Sequence, residues 1–393
     1  MSSQEEFHRI KQLPPYVFEE VNNLKAKMRS AGADIIDLGM GNPDMPTPPH
    51  IVDKLVETVR DPKSHRYSVS RGIIGLRRAM GRYYERRFGV SLDPDTQIVA
   101  TIGSKEGFAN LAQAITGPGD VILSPNPAYP IHAYGFIIAG GVIAPVAAPS
   151  PEEYLAGVAD AIGKCHVRPR AMVLNYPSNP TAQTVDLAFY KEAVALAKRH
   201  EVYILSDLAY GEIFFGDPPP SILEVEGAMD VAVEINSLSK TFAMAGWRVG
   251  MAVGNERLIK ALARVKSYLD YGAFTPVQVA AVAALDGPWD CVEEIRATYK
   301  ARRDTLIDHF AKAGWDVPCP DASMFAWAPI PEKYRSMGSV EFAKMLMERA
   351  EVAVAPGLGF GEHGDGHVRI GLVENQQRIR QAARNLKKVF SGN

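Results

Sequence analysis

The residues richest in chemistry stand together at Ser237-Leu238-Ser239-Lys240-Thr241, and Arg248 follows eight positions after the lysine. A lysine amine attacks aldehydes once it has lost its proton, and an arginine among hydroxyl groups holds phosphate through paired, charge-assisted bonds. The set suits a lysine in Schiff-base linkage with pyridoxal phosphate (PLP), with the amine on the aldehyde and the serines and arginine on the phosphate. Taken alone, the segment reads equally well as a surface lysine at the start of a helix.

Other segments bear on the choice. Gly103-Ser104-Lys105 lies between an apolar run and a helical pattern. Small residues there could offer backbone N–H groups to a phosphate, or simply make a turn. Asp207 closes the run Val202 to Ser206, where a carboxylate either caps the next helix or faces a ligand. Asn175-Tyr176-Pro177-Ser178-Asn179-Pro180-Thr181 is a rigid turn, either structural or one that fixes Asn179 toward a ligand. Pro125-Asn126-Pro127-Ala128-Tyr129-Pro130 is a second, able to present the Tyr129 ring as a stacking surface. His132 has no second ligand placed beside it and reads as a core or surface histidine. His363 and His367 flank glycines rather than share a helix face, so no metal site is expected. Arg77, Arg78, Arg82, Arg86 and Arg87 form a charged helical face, read as solvated or at a subunit contact.

Apolar runs must carry these residues to one place. The runs Gln97 to Thr101, Val121 to Leu123, Ala171 to Leu174, Val202 to Leu205, Val231 to Ile235 and Val249 to Val253 alternate with helical patterns. Examples of the latter are Phe108-Leu111-Ala112-Ile115 and Asp186 to Arg199. Repeated strand–helix units predict an α/β fold with a mostly parallel sheet between helices, and ligands then bind beyond the carboxyl ends of the strands. The chain of 393 residues is too long for one core. The pattern predicts a large domain over 50–285. The proline-rich arm 1–49 and the segment 286–393 would form a smaller α+β domain.

Composition excludes several function classes. A net charge of −2 gives no basic excess for nucleic acid or an acidic membrane. Cys165, Cys291 and Cys319 are far apart and form neither a disulfide framework nor a zinc motif. The polar, acidic start lacks the features of a signal peptide, and the stretch Ala273 to Leu285 is too short to span a bilayer. A cytoplasmic location is expected.

Placed in order, the markers resemble a class I aminotransferase of the PLP fold type I group. They are Gly41-Asn42-Pro43-Asp44, His65-Arg66-Tyr67, Gly103-Ser104-Lys105, Asn126-Pro127-Ala128-Tyr129-Pro130, Ser178-Asn179-Pro180-Thr181, Asp207-Leu208-Ala209-Tyr210, Ser237-Leu238-Ser239-Lys240, Gly246-Trp247-Arg248 and His367-Val368-Arg369. The resemblance runs from about Pro14 to the C-terminus. It is closest to the bacterial glutamate–pyruvate (alanine) aminotransferases through Met244-Ala245-Gly246-Trp247-Arg248, Lys266-Ser267-Tyr268, Asp270-Tyr271-Gly272 and Phe274-Thr275-Pro276. The LL-diaminopimelate aminotransferases are near neighbours. One departure is Ala182, where many members of the family have glycine after Asn-Pro-Thr; the turn is therefore not expected to rest on a left-handed glycine.

The resemblance implies roles residue by residue. Lys240 would carry the cofactor and shuttle the proton. Asp207 would keep the pyridine nitrogen protonated, and Tyr210 and Asn179 would bond the ring oxygen. Tyr129 would stack on the ring. Ser104, Lys105, Ser237, Ser239, Arg248 and Tyr67 of a second subunit would hold the phosphate. Arg369, with Gly41 and Asn179, would bind the substrate α-carboxylate, and Tyr16 would close over it. The expected reaction is alanine with 2-oxoglutarate giving pyruvate and glutamate, in a homodimer with shared sites. Tyr271 and the absence of arginine over Tyr268 to Thr275 favour a small neutral substrate, since aspartate-specific relatives place an arginine there. A broad-range or LL-diaminopimelate aminotransferase and a PLP-dependent carbon–sulfur β-lyase are the alternatives.

Overall fold

A computed structural model describes residues 7–14 and 17–391. The strands among them are β1 (Ile36–Asp37), β2 (Ile98–Thr101), β3 (Val121–Asn126), β4 (Val142–Ala147), β5 (Ala171–Asn175), β6 (Tyr203–Asp207), β7 (Ala232–Ser237), β8 (Gly250–Gly254), β9 (Phe325–Pro329), β10 (Val352–Ala353), β11 (Ala355–Pro356) and β12 (His367–Gly371). Seven form one sheet in the order β2-β8-β7-β6-β5-β3-β4. All neighbours in it are parallel except β8, which runs antiparallel to both β2 and β7.

Both faces of this sheet are covered, which is why its central strands are apolar throughout rather than alternating. On β5, Met172 and Leu174 enter the core on one face with Leu76, Tyr154 and Tyr190. Ala171 and Val173 enter the other with Phe108, Leu111 and Leu262. The edge strand β4 has no counterpart among the runs picked out in the sequence. It carries Pro145 and is half exposed, so its composition does not announce a strand; proline is tolerated at an edge because no neighbour needs its N–H.

A separate core gathers Ile36 and Leu38 of the arm with Phe310, Trp315, Phe325, Phe342, Val368 and Ile370. The arm joins it through the backbone, since β1 pairs in parallel with β10 at Ile36↔Val352. β11, β12 and β9 form its antiparallel sheet. The helix Asp290–Lys312 links the two regions: Val292 packs in the first core, and Ile295, Tyr299 and Phe310 pack in the second. We propose the domain boundary at 285/286, with Ala209, Tyr210 and Ile213 reaching across it into the second core. Among the described residues no helix is long and apolar enough to cross a membrane.

Candidate active site

The carboxyl ends of β5 and β6 bring Asn175 and Asp207 side by side, and β7 runs two residues further, to Ser237, past the Ile235 that pairs with Asp207. β7 runs directly into the short helix Leu238–Thr241, whose first turn is capped by the Ser237 hydroxyl accepting from the Ser239 N–H at 3.2 Å. Lys240 is thereby held at the strand end, where its Nζ donates to the Gly41 carbonyl at 2.9 Å. Burial, reinforced by the Arg369 and Arg248 charges, pulls the Lys240 pKa down to about 8.

Beside it is a cradle suited to an anion. The helix Ser104–Ile115 begins after Gly103, which has φ 77° and supplies no side-chain cap. Its first N–H groups are therefore open to a ligand. A Cβ at Gly103 would collide with the Arg248 guanidinium, so glycine is needed both for its backbone angle and for the closeness of the arginine. Arg248 is itself in the left-handed region at φ 58°, and its Nη1 donates to the Ala245 carbonyl at 2.8 Å. Such strained non-glycine angles persist where the surroundings hold them.

The opposite end carries a carboxylate and a guanidinium. Asp207 is buried; Oδ1 accepts from the Ala209 N–H at 3.0 Å, and Oδ2 lies 2.9 Å from His132 Nε2. Asp207 thus caps the following turn and is also tied to a histidine that is 0 % exposed. Arg369 lies between the rings of Phe325 and Phe360, with 4.1 and 4.7 Å to their centroids. Its Nη1 donates to Asn179 Oδ1 at 2.7 Å, and its Nη2 to the Gly39 carbonyl at 3.2 Å. The Asn179 N–H is anchored on Asn175 Oδ1 at 2.9 Å, and its Nδ2 lies 3.4 Å from the Tyr210 hydroxyl. Burial pushes the Tyr210 pKa far up, against the pull of Arg369, so the phenol stays protonated.

One cavity of about 550 Å³ is lined by Lys240, Asp207, Tyr210, Asn179, Tyr129, Ser104, Lys105, Ser237, Ser239, Arg248, Gly41 and Arg369. A side chain at Gly41 would come within 3.0 Å of the Phe325 ring and 3.4 Å of Arg369 Nη2, so this glycine keeps the guanidinium open. Tyr67 is placed elsewhere. It is 87 % exposed, packs on Tyr271 with the rings tilted by 37° and 4.7 Å between centroids, and does not line its own chain's cavity. Tyr16 lies outside the described residues; nearby Phe18 lines the cavity and packs on Phe360 at 5.2 Å.

Two sequence readings gain detail in the structure. His132 is not a bystander, since it is the buried partner of Asp207; the two are 75 positions apart, so local spacing does not reveal the pair. Its place three residues beyond Tyr129, at the start of the helix Ile131–Ala139, was the available signal. The turn at Ala182 is left-handed despite the missing glycine: φ is 58°, held by Ala182 N–H to Ser178 O at 3.0 Å and Ser178 N–H to Gln183 O at 2.9 Å.

A nucleophilic amine between an anion cradle and a buried guanidinium, with a carboxylate at the strand end, defines a site for amino-group chemistry on carboxylic acids. Comparison with known proteins agrees. Residues 33–386 match the aminotransferase class I and II family, and the chain belongs to it. It is 64% identical over 98% of its length, and 96% of the relative, to AatC of Rhizobium meliloti (strain 1021), provisionally named an aminotransferase. It is 52% identical to the glutamate-pyruvate aminotransferase AlaC of Escherichia coli (strain K12), covering 98% and 93% of the two chains. It is 41% identical to the LL-diaminopimelate aminotransferase of Moorella thermoacetica (strain ATCC 39073 / JCM 9320), covering 98% of each. Among solved structures, substrate-bound BacF from Bacillus subtilis superposes with a TM-score of 0.90 at 36% identity, over 98% of both chains. The chain is a PLP-dependent aminotransferase. The residues present suit that cofactor: the glycine-opened cradle with Arg248 matches a phosphate, and buried Asp207 matches a ring nitrogen that must stay charged.

Proposed function

We propose that this enzyme transfers the amino group of alanine to 2-oxoglutarate, giving pyruvate and glutamate. The observation that carries the site assignment is the Lys240 amine held between the Gly103–Lys105 cradle and the Arg369–Asn179 clamp in one cavity. The substrate pair is supported by the 52% identity to the E. coli glutamate-pyruvate enzyme.

Bound PLP supplies a carbonyl that links to amino groups and a ring that draws electrons from the neighbouring bonds. The protein does the rest. Ser104, Lys105, Ser237, Ser239 and Arg248 hold the phosphate. Tyr129 would cover one ring face, and Tyr210 and Asn179 would bond the ring oxygen. Asp207, steadied by His132, keeps a proton on the ring nitrogen because a buried carboxylate favours the cation beside it. Arg369 takes the substrate α-carboxylate on its planar fork, with Gly41 and Asn179 beside it. Lys240 Nζ would take the α-proton of the bound amino acid and hold it for redelivery. Its lowered pKa favours the neutral amine that this role requires.

The working unit is a cytoplasmic homodimer in which Tyr67 reaches the partner's phosphate. The exposed apolar group Tyr67, Val69, Tyr268, Leu269, Tyr271 and Phe274 supports this, since a patch of this kind marks an interface. The test is a panel of amino donors against 2-oxoglutarate. Alanine should give the highest kcat/KM. A preference for LL-diaminopimelate would move the assignment to that group, and pyruvate and ammonia formed from cysteine-like substrates without an oxo acid would make the enzyme a β-lyase.

A further inference from the structure

Lys266 is outside the cavity and 0 % exposed, and its Nζ sits between two carboxylates, 2.8 Å from Glu106 Oε1 and 2.9 Å from Asp270 Oδ2. A buried ammonium is tolerated only when paired and hydrogen-bonded, and breaking such a pair is strongly destabilising. What the two carboxylates do next is informative. Glu106 Oε2 accepts the Ile102 N–H at 2.8 Å, and its other oxygen also accepts from Asn110 Nδ2. It therefore fixes the backbone immediately before Gly103-Ser104-Lys105, the cradle. Asp270 Oδ1 accepts the Gly272 N–H at 2.7 Å. It fixes the loop that carries Tyr271. Gly272, at φ 78°, lies so close to the Val69 carbonyl that a Cβ would collide with it, and the Tyr271 ring packs at a tilt on Tyr67.

We propose that Lys266 is a positioning residue that couples subunit association to cofactor retention. A single ammonium sets the cradle through Glu106 and the subunit-facing loop through Asp270. Order imposed on one side by a ligand lowers the cost of ordering the other. The inference rests on the shared-site dimer proposed above.

The test uses near-isosteric replacements on either side of the lysine. Asp270→Asn touches the subunit-facing loop and should speed release of bound PLP, measured from the holoenzyme at concentrations where sedimentation shows only dimer. Glu106→Gln touches the cradle and should raise the dimer dissociation constant, measured with PLP saturating. Each cross-effect should be about tenfold, the scale of one weakened charge-assisted bond. Lys266→Met should show both, and if it fails to fold the two isosteric variants still decide. Under those conditions a purely local role gives the opposite pattern: Asp270→Asn changes association alone and Glu106→Gln changes PLP release alone. That pattern in a dimeric wild type overturns the coupling and leaves the shared site standing. A wild-type holoenzyme that sediments as a fully active monomer overturns the shared site, and the coupling with it.

Discussion

Replacing Arg369 by lysine isolates what the clamp contributes. The position is buried, so a shorter cation there keeps the charge between Phe325 and Phe360 and should keep the fold. The planar fork is lost. In the wild type the guanidinium donates from Nη1 to Asn179 and from Nη2 to Gly39, and its flat array of five N–H donors also matches a carboxylate. An ammonium has three donors on one atom and cannot serve both anchors and hold two parallel bonds to the substrate. Losing one charge-assisted bond costs roughly 1.5–3 kcal/mol, or about 10- to 150-fold in kcat/KM. Steady-state kinetics with alanine, glutamate and 2-oxoglutarate reads this directly, and PLP content should be unchanged because the cradle lies on other elements. The loss should be similar for all three, since each presents the same α-carboxylate. A loss confined to glutamate and 2-oxoglutarate would place Arg369 on the distal carboxylate and refute the assignment.

Other perturbations test the rest of the site. Because the neutral amine of Lys240 predominates only above its lowered pKa of about 8, covalent attachment of PLP to the ligand-free protein should accelerate with pH, with a midpoint near 8; stopped-flow absorbance giving a midpoint near 10.5 would contradict it. Lys240→Ala should abolish that attachment and nearly all turnover, and borohydride labelling of another lysine would refute the role. Gly103→Ala should lower stability by about 1–3 kcal/mol, because its backbone at φ 77° and ψ 160° is essentially restricted to glycine, and weaken PLP binding by displacing Arg248; unchanged melting temperature and PLP affinity would count against the cradle. His132→Phe should slow turnover about tenfold or more by leaving a buried carboxylate oxygen unpaired, with PLP bound less tightly; wild-type kcat would leave His132 a packing residue.

How legible the molecule was in its sequence depended on how local each signal is. Lys240, Asp207, Asn179 and Gly103 each sit in a short segment where a strand ends, and such a segment can be read by itself. The sheet was legible for the same reason, because strands covered on both faces are unbroken apolar runs. Partners distant in sequence were not. His132 meets Asp207 across 75 positions, and Lys266 meets Glu106 across 160. The arginine-rich helix is exposed at Arg78, Arg82 and Arg86, as a solvated face should be, but its distant partners were not legible. Arg82 pairs with Asp286, Arg86 donates to the Leu285 carbonyl, and Arg87 reaches the buried carboxylate of Glu212, so much of that charged face is bound within the chain. Ala182 shows that a left-handed turn need not announce itself by glycine when hydrogen bonds on both sides close it.

The elements around the cavity divide its tasks between two cores. The lysine, the strand-end carboxylate and the anion cradle all belong to the seven-stranded sheet, whereas Arg369 and the Gly39–Gly41 segment belong to the other body. Asn179 bridges them, anchored on β5 through Asn175 and bonded to Arg369. Changes in the arm or the second core can therefore alter how the shared α-carboxylate is gripped without dismantling the chemistry, as a lathe takes a new chuck while its drive stays in place.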